Sequence, residues 1–317
     1  MSLTRGDLAR RLSVAICTHD RARLLRSALN SLAAAEPPRR LAWEVVVVLN
    51  DCHDGSDLVA AEFADVLPIR WVEEPRRGLS HARNRAVEAV TGDVIIWLDD
   101  DVRVGPRLLA GYEEAVCANP DAVLFGGAIV PCFEGEAPHW LTETLAEVEN
   151  AFALKRPPPG GGRIVLGENT PYGANFAISA PVQRANLYDP RLGRQPGAWM
   201  IGGEETQVIA AVLASGGLGV WAPDAVVEHV LPAHRQTPAY LHRYFRGLGW
   251  LEGRLQPRGD LGARTAVREF ADAAALELRY RWRRLNGPPG AWTALLRDSA
   301  RAWGRWCGRY AAPPLRV

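Results

Sequence analysis

The chain has 317 residues, of which 48% are hydrophobic and 23% charged, so it can bury the core of one large domain or two small ones. Its formal net charge of +1 gives no electrostatic reason to expect a nucleic acid as a partner. Five widely separated cysteines form no CxxC pair and no zinc spacing, which argues against a disulfide scaffold or a structural zinc site: Cys17, Cys52, Cys117, Cys132 and Cys307.

The first hundred residues alternate between apolar, β-branched runs and segments whose apolar residues have helical spacing. We predict strands at 12–17, 43–49, 69–73 and 94–98, and helices at about 24–32, at 57–64 and from 78 onward. This alternation predicts an α/β fold with a mostly parallel, doubly wound sheet flanked by helices.

Polar residues follow three of these strands at the point where each strand ends. They are residues 18–21, residues 50–54 and the three carboxylates Asp99, Asp100 and Asp101. The C-terminal ends of parallel strands meet at one edge of a sheet, where open α/β folds bind ligands. Adjacent carboxylates repel one another and favour a bound cation, and oxygen ligands suit Mg²⁺ or Mn²⁺. A solvated acidic turn is the alternative interpretation, which the apolar run before Asp99 disfavours.

Two common nucleotide-binding motifs are missing from the sequence. No GxGxxG follows the first predicted strand, and no GxxxxGK[ST] occurs, so a dinucleotide fingerprint and a P-loop are excluded. A nucleotide at this edge of the sheet would be held in another way.

The alternation becomes less regular after Asp101. We predict a helix at about 105–119, strands at 122–127 and 173–179, a helix at 202–213 and a strand at 220–230. Residues 131–172 look irregular and contain prolines and glycines at 157–162, which favours a mobile loop over a site. The uncharged run 206–223 is interrupted by glycines and Pro223, which predicts a helix and a strand rather than a membrane span.

The composition changes from residue 260 to residue 317, where eleven Arg stand against five acidic residues. On a helix, one face would carry Trp292, Leu295, Leu296, Ser299, Trp303 and Trp306, and another face Arg297, Arg301 and Arg305. Such a helix can lie on an anionic membrane surface, or it can pack on the preceding domain with its arginines outward. We expect a helical C-terminal extension over 260–317, and both interpretations of it stay open.

Five short motifs occur in the order seen in family 2 glycosyltransferases. They are Cys-Thr-His-Asp-Arg21, Asn-Asp-Cys-His-Asp-Gly-Ser56, Gly-Leu-Ser-His-Ala-Arg-Asn84, Asp-Asp-Asp101 and Gly-Gly-Glu-Glu205. Residues 12–250 therefore resemble this family, whose members are inverting enzymes of the GT-A fold that use nucleotide sugars. The resemblance implies a GT-A domain over 1–259, with a nucleotide-binding half at about 12–125 and an acceptor half at about 126–259.

The resemblance also assigns nucleotide and metal contacts by position. It implies that the donor nucleotide is contacted by Thr18, Asp20, Arg21, Asn50, Asp51, Arg83, Asn84, Asp99 and Asp100. Asp99 and Asp101 match the family's DxD motif, with Asp101 as a direct ligand of Mn²⁺ or Mg²⁺ and His229 completing the metal site. A divalent cation bridging two phosphates would neutralise the charge on the departing diphosphate.

Two further carboxylates match the family's Glu-Asp pair at the start of a helix. The resemblance implies that Glu205 is the general base for the acceptor hydroxyl, with Glu204 beside it in the catalytic pair. Adjacent carboxylates can raise each other's pKa, which helps a base work near neutrality. Acids at a helix N-terminus are also favoured by the helix dipole alone, so both interpretations can hold.

One departure from the family bears on the donor. Where the family often has an Asp that reaches uracil, this chain has Leu49, followed by Asn50. A UDP-sugar is favoured, and GDP- and dTDP-sugars stay open, as do a carbohydrate, a lipid-linked compound or a small molecule as acceptor. The rival functions are a sugar nucleotidyltransferase and a non-catalytic nucleotide-sugar-binding protein on the same fold. A nucleotidyltransferase would normally need a glycine-rich, basic loop that residues 17–26 lack.

The N-terminus and the cysteines suggest a location. Residues 1–11 are polar and lack the apolar segment of a signal peptide, and dispersed cysteines fit a reducing compartment. We expect a cytoplasmic protein, and its C-terminal helices are the candidate point of peripheral contact with the inner face of the membrane.

Overall fold

A computed structural model of the chain describes residues 11–193, 203–255 and 262–311. Within these ranges eight strands form one sheet: β1 (Arg11–Thr18), β2 (Ala42–Asn50), β3 (Ile69–Glu74), β4 (Val94–Asp99), β5 (Val102–Val104), β6 (Ala122–Phe133), β7 (Asn175–Ser179) and β8 (Leu218–Leu231). The α-helices of the same ranges are α1 (Ala22–Ala33), α2 (Ser56–Glu62), α3 (Leu79–Ala89), α4 (Leu108–Ala118), α5 (His139–Val148), α6 (Ala180–Ala185), α7 (Glu204–Ala214), α8 (Pro238–Leu255), α9 (Ala263–Asn286) and α10 (Pro289–Trp306).

The sheet is mixed, and its parallel half is the one that the sequence predicts. The strand order is β3-β2-β1-β4-β7-β6-β8-β5. Strands β3, β2, β1 and β4 run parallel, whereas β7 is antiparallel to β4 and β6, and β5 is antiparallel to β8. The predicted α/β class, with a largely parallel sheet flanked by helices, is therefore confirmed.

The central strands are continuous apolar runs because both of their faces are covered. Residues 45–48 of β2 and Ile95 of β4 are fully buried. Trp97 of β4 lies between Phe176 and Tyr188, with ring centroids 6.5 and 5.6 Å away. Burial of each such side chain contributes about 1.5–3 kcal/mol. This core fixes β4, and with it the acidic residues that follow.

The Cα positions divide the described chain into two compact units. The first comprises residues 11–132, 153–193 and 203–230 and holds almost the whole sheet. The second comprises residues 133–152, 231–255 and 262–311 and is built from α5 and α8 to α10. The predicted boundary at 259 and 260 lies outside the described residues, so the predicted domain division stays a prediction.

Helices α8 and α10 of the second unit approach each other through glycines. A methyl group on Gly304 would collide with the backbone carbonyl of Arg246, and one on Gly249 would collide with that of Arg301. The absence of a side chain at these positions lets the two helix backbones touch.

The predicted tryptophan-rich face of α10 is packed inside the second unit. Trp292, Leu296 and Ser299 are buried, and the indole nitrogen of Trp306 donates a hydrogen bond to the backbone oxygen of Ala266 in α9, at 3.1 Å. Trp303 and Trp306 both make T-shaped contacts with Phe270, with ring centroids 5.1 and 5.3 Å away.

The predicted arginine row of α10 is engaged in ion pairs. Arg301 and Arg305 both bind Glu252 of α8, and Arg297 binds Glu147 and Asp298. Of the two interpretations of this helix, the structure supports packing.

The prediction that residues 131–172 are irregular is wrong in part. They contain α5 and a 3₁₀ turn at Glu149–Phe152. Leu141 and Val148 are buried on one side of α5, a helical spacing that the surrounding prolines and glycines obscured. Within residues 157–162, one turn is closed by a hydrogen bond from the backbone nitrogen of Gly161 to the backbone oxygen of Pro158, and the role of this segment as a mobile loop stays a prediction.

In the part of the chain that the structure describes, no helix combines the length and the apolar character needed to cross a membrane.

Candidate active site

The ends of β1, β2 and β4 lie side by side at one edge of the sheet. The parallel register pairs Thr18 with Leu49 and Cys17 with Asp99. The three polar segments that the sequence places after these strands therefore come together, and all of the predicted site residues belong to the first unit.

Asp100 is buried directly after β4. Its Oδ2 accepts a hydrogen bond from Oγ1 of Thr18 at 2.8 Å, and its Oδ1 accepts one from Nη1 of Arg21 at 2.9 Å. Burial raises the pKa of Asp100 to about 6, and the negative charge of Asp101 adds to this rise. The positive charge of Arg21 acts in the opposite direction and lowers the pKa. Thr18 and Arg21 thus hold this carboxylate in place, and their predicted contacts with a nucleotide stay predictions.

Asp101 and His229 lie against each other, and their role as ligands of one metal ion stays a prediction. Oδ1 of Asp101 is 3.4 Å from Nε2 of His229, and both side chains are buried. The pairing of β5 with β8 brings them together, because Val102 stands opposite His229 and the backbone nitrogen of Val230 donates to the backbone oxygen of Asp101. Arg21 lies 3.4 Å from the other oxygen of Asp101.

The side-chain atoms of Asp101 and His229 that face each other are suitable ligands for a divalent cation. Carboxylate oxygen and imidazole nitrogen are both ligands of Mn²⁺-like ions, and two ligands of one ion approach each other to about the distance seen here. Asp99 is turned elsewhere, with Oδ1 3.5 Å from Nη2 of Arg83 and its side chain 34% exposed. Among the described residues, the ligand atoms of Asp99, Asp101 and His229 do not all lie within 4.8 Å of one another.

Arg83 is a buried cation that links the acids after β4 with those at the start of α7. Its Nη1 donates to Oε1 of Glu204 at 2.8 Å and lies 3.9 Å from Oε2 of Glu205. The guanidinium also lies over the rings of Trp97 and Tyr188, 5.8 and 5.4 Å from their centroids. Burial lowers the pKa of Arg83, but Glu204, Tyr188 and Asp99 outweigh it and raise the pKa overall.

The two glutamates of the predicted catalytic pair differ in their surroundings. Glu204 is buried, and burial together with Glu205 raises its pKa to about 7 although Arg83 opposes the rise. Its Oε2 is buried without a hydrogen-bond partner among the described residues. The side chain of Glu205 is 16% exposed. Gly203 precedes them with a φ of 101°, a conformation that favours glycine at this helix start, while Gly202 lies outside the described residues.

The two predicted asparagine contacts have their amide groups occupied within the protein. Nδ2 of Asn50 donates to the backbone oxygens of Glu74 and Arg76, and its Oδ1 accepts from the nitrogen of Gly78. Asn84 bonds both the nitrogen and the oxygen of Tyr188. These side chains fix the loop before α3 and the segment after α6, and direct nucleotide contact by either stays a prediction.

Asp20 and Asp51 lie in the loops after β1 and β2, both with positive φ, at 47° and 54°. Oδ1 of Asp20 accepts a hydrogen bond from the backbone nitrogen of His53 at 2.7 Å, and Oδ1 of Asp51 lies 3.2 Å from Nε2 of the same histidine. The ligand atoms of Asp20, Cys52 and Asp54 lie within 4.8 Å of one another. The two loops are therefore joined at the edge of the predicted nucleotide site.

Sequence reasoning missed two parts of this arrangement. It did not identify Tyr188, whose ring packs against Arg83 and whose backbone holds Asn84. It also placed Arg83 near the nucleotide and not against Glu204, from which it is 121 positions distant in the chain. A single sequence contains no local pattern that pairs residues so far apart.

A model of the family described as "Glycosyl transferase family 2" matches residues 13–172. The chain is 29% identical over 261 residues to the succinoglycan biosynthesis protein ExoM of Rhizobium meliloti, which covers 80% of this chain and 78% of the relative. It is 25% identical over 230 residues to the glucosyl-dolichyl phosphate glucuronosyltransferase of Haloferax volcanii, covering 71% of each.

Solved structures of glycosyltransferases share the fold. The mannosyltransferase PcManGT of Pyrobaculum calidifontis, solved with GDP-Man and Mn²⁺, is 18% identical with a TM-score of 0.59, covering 96% of this chain and 88% of its own. TarS 1–349 of S. aureus, solved with UDP, is 15% identical with a TM-score of 0.52, covering 87% and 73%. At these identities the likeness concerns the fold alone, and that fold is the predicted GT-A type.

Proposed function

Since the chain belongs to glycosyltransferase family 2, we propose that it transfers a sugar from a nucleoside-diphosphate donor to an acceptor hydroxyl with inversion at the anomeric carbon. The observation that carries this proposal is that three carboxylates from two distant elements converge on one buried guanidinium. Arg83 lies between Asp99, at the end of β4, and the pair Glu204 and Glu205, at the start of α7. The family membership favours this function over the nucleotidyltransferase and the non-catalytic protein.

On the leaving-group side, Asp101 and His229 would hold a divalent cation. When bound, that cation would supply positive charge to the two phosphates of the donor as the glycosidic bond breaks. Arg21 adds a fixed positive charge 3.4 Å from Asp101. This charge limits the repulsion between Asp100 and Asp101 before a donor binds.

On the acceptor side, Glu205 is the proposed general base. Inversion requires the acceptor oxygen to attack from the face opposite the diphosphate, and a carboxylate must accept the hydroxyl proton there. Glu205 is partly exposed and 3.9 Å from Arg83, whereas Glu204 is buried and ion-paired at 2.8 Å. An acceptor hydroxyl can therefore reach Glu205 more easily.

Glu204 has a positioning role in this proposal. Oε1 accepts the hydrogen bond from Arg83, and Oε2 is the atom without a partner among the described residues. A carboxyl group with a pKa raised to about 7 is partly protonated near neutrality. It can therefore donate a hydrogen bond from Oε2 to a hydroxyl of the donor sugar.

UDP is the favoured nucleotide of the donor, and GDP and dTDP are the competing ones. For the acceptor we favour a lipid-linked saccharide over a free carbohydrate or another small molecule, because the Haloferax volcanii relative is named for transfer to glucosyl-dolichyl phosphate.

The test is an assay of the purified chain with UDP-, GDP- and dTDP-sugars, with Mn²⁺ or with a chelator. Release of nucleoside diphosphate that needs both a sugar donor and the cation is the expected result. Release of pyrophosphate from a nucleoside triphosphate and a sugar phosphate would instead identify a nucleotidyltransferase. Binding without turnover of any donor, with a lipid-linked acceptor present, would count against catalysis.

A further inference from the structure

The outward face of helix α9 carries a row of apolar side chains. Val267, Leu278, Trp282 and Leu285 are 67%, 69%, 56% and 84% exposed, and their spacing places them along one side of the helix. The exposed Ala271 lies between the first two on the same side. We call these five residues the α9 stripe. The opposite side of α9 is also apolar and is buried through Ala273 and Tyr280.

Arginines border the α9 stripe. At about 100° per residue, Arg281 lies on one flank and Arg268 and Arg279 lie on the other. The helix contains six Arg and three acidic residues, and all six Arg are exposed. One of the acids, Glu277, is largely covered and bonded to Arg281. The guanidinium of Arg283 lies over the ring of Trp282, 5.1 Å from its centroid.

Such a row differs from the single exposed apolar residues of an ordinary surface. Isolated apolar side chains on a surface are common, whereas a contiguous patch bordered by polar residues marks a contact with a partner or a membrane. Contact with a second copy of the chain would bring the arginines on both flanks of one stripe close to those of the other. An anionic lipid surface would instead offer apolar chains to the stripe and phosphate groups to the arginines.

We propose that the α9 stripe binds an anionic lipid surface, with the helix lying in the plane of the headgroups. This assigns the membrane contact to α9 and not to residues 290–310, whose tryptophans and arginines are engaged inside the second unit. The inference goes beyond the proposed transfer reaction and does not depend on it.

The test is co-sedimentation of the full chain with vesicles of phosphatidylcholine alone or of phosphatidylcholine mixed with phosphatidylglycerol. We expect binding to the mixed vesicles that falls as salt is raised from about 0.1 M to 1 M, because screening shortens the range of the arginine charges.

Two double variants examine the two parts of the surface. Trp282→Ser with Leu285→Ser should weaken binding by roughly tenfold or more, the scale for withdrawing large apolar side chains from the interface. Arg268→Glu with Arg279→Glu changes the two arginines on one flank and should weaken binding by at least roughly fivefold for each arginine, because each change removes a positive charge and adds a negative one.

Matched control variants come from the first unit. Leu58→Ser with Val66→Ser changes side chains that are 67% and 65% exposed, and Arg39→Glu with Arg156→Glu makes the same charge change at exposed positions. Both controls should bind like the parent. Circular dichroism and the melting temperature identify any variant that has not folded, and Trp282→Phe with Leu285→Ser is the substitute in that case.

Three results would overturn the proposal. One is the absence of parent binding to anionic vesicles. Another is equal loss of binding in the α9 variants and in the controls. The third is a parent dimer in sedimentation velocity that the serine variants convert to a monomer without any vesicle binding, which would identify the stripe as a contact between copies.

Discussion

Arg83 sets the difference between the two glutamates at the start of α7. Its guanidinium holds Glu204 at 2.8 Å and leaves Glu205 at 3.9 Å. One carboxylate is thereby fixed and covered, and the other keeps access to solvent. Two neighbours of the same residue type can then take separate roles, and this difference supports our proposal of Glu205 as the base and Glu204 as the positioning residue.

Substitution of Glu205 by Gln keeps the shape of the side chain and removes its basicity. We expect kcat to fall by roughly 10² or more, the scale of lost general-base catalysis, with the affinity for the donor little changed. Steady-state kinetics and donor titration measure the two quantities separately.

The matched variant is Glu204→Gln, which retains a hydrogen-bond acceptor for Arg83. We expect the donor affinity to be largely kept, because the amide group can still donate a hydrogen bond from the position of Oε2, and we expect a smaller loss in kcat than in Glu205→Gln. Near-normal turnover in Glu205→Gln together with collapse in Glu204→Gln would exchange the two roles. Near-normal turnover in both variants would show that neither glutamate is the general base.

Asp101→Asn tests the metal site. The amide keeps the size of the side chain and loses the negative charge, so Mn²⁺-dependent binding of UDP should be abolished while the fold is retained. Isothermal titration with and without Mn²⁺ measures this effect, and Asp224→Asn, at an exposed position of β8, serves as the control. Unchanged Mn²⁺-dependent binding in folded Asp101→Asn would rule out Asp101 as a ligand.

The raised pKa of Glu204 predicts a pH dependence of stability. The folded protein holds this proton up to about pH 7, against an ordinary value of 4.5. Between these values the folded state binds more protons, so stability falls as the pH rises. Without metal, the parent should lose up to roughly 3 kcal/mol relative to Glu204→Gln between about pH 4 and pH 8. Parallel pH dependences of the two proteins in urea unfolding would contradict this.

Individual residues were predicted well where a local pattern marks them. The acids after β4 follow an apolar run, so the sequence alone placed Asp99 to Asp101 at the edge of the sheet. The directions of their side chains were not predictable: Asp99 faces Arg83, whereas Asp101 faces His229. The position of His229 depends on the distant strand β8, which local sequence does not reveal. The occupied amides of Asn50 and Asn84 depend likewise on backbone groups outside their motifs.

Among the elements, helices α8 and α10 approach each other so closely that their backbones touch at glycines. A methyl group on Gly304 would overlap the carbonyl of Arg246, so Gly304→Ala must push the backbones apart. We expect a loss of stability of roughly 1–3 kcal/mol, the usual cost of overpacking, measured by urea unfolding.

The matched change in the same helix is Gly290→Ala. Nothing lies within 4 Å of the methyl group added there, and alanine restricts the unfolded chain, so stability should rise by about 0.4–1 kcal/mol. Equal effects of the two substitutions would show that helix propensity, and not the contact, determines the outcome.

Elements with a clear pattern of apolar residues were predictable from the sequence. Features that depend on packing against distant parts of the chain were not. The central residues of β1, β2 and β4 form mostly apolar runs because both faces of these strands are buried. Helix α5 has only a short buried side and is surrounded by loop-forming residues, so its pattern was overlooked. The antiparallel direction of β7 left no trace in its sequence, because a buried strand is apolar in either direction.

For the whole molecule, ligand binding should appear as thermal stabilisation. UDP with Mn²⁺ should raise the melting temperature by roughly 5 °C at a ligand concentration of about 100 Kd, where the native state gains about 2.7 kcal/mol. UDP with a chelator should have little effect. Parallel measurements with GDP and dTDP show which nucleobase the site prefers. A larger shift with GDP would reassign the donor, and equal shifts with and without metal would argue against a metal-assisted site.

The distance in sequence between Arg83 and Glu204 has a consequence for biosynthesis. A ribosome adds roughly 5–20 residues per second, so 121 further positions take on the order of 10 s to appear. Throughout that interval the emerging chain contains Arg83 without Glu204, its main carboxylate partner, and for most of it without Tyr188 as well. Burying that charge against Trp97 alone would be unfavourable. We therefore expect the parallel half of the sheet to stay loosely closed around Arg83 during translation. Nascent chains that end before Glu204 should then be cleaved by protease in α3 more readily than chains that extend beyond α7.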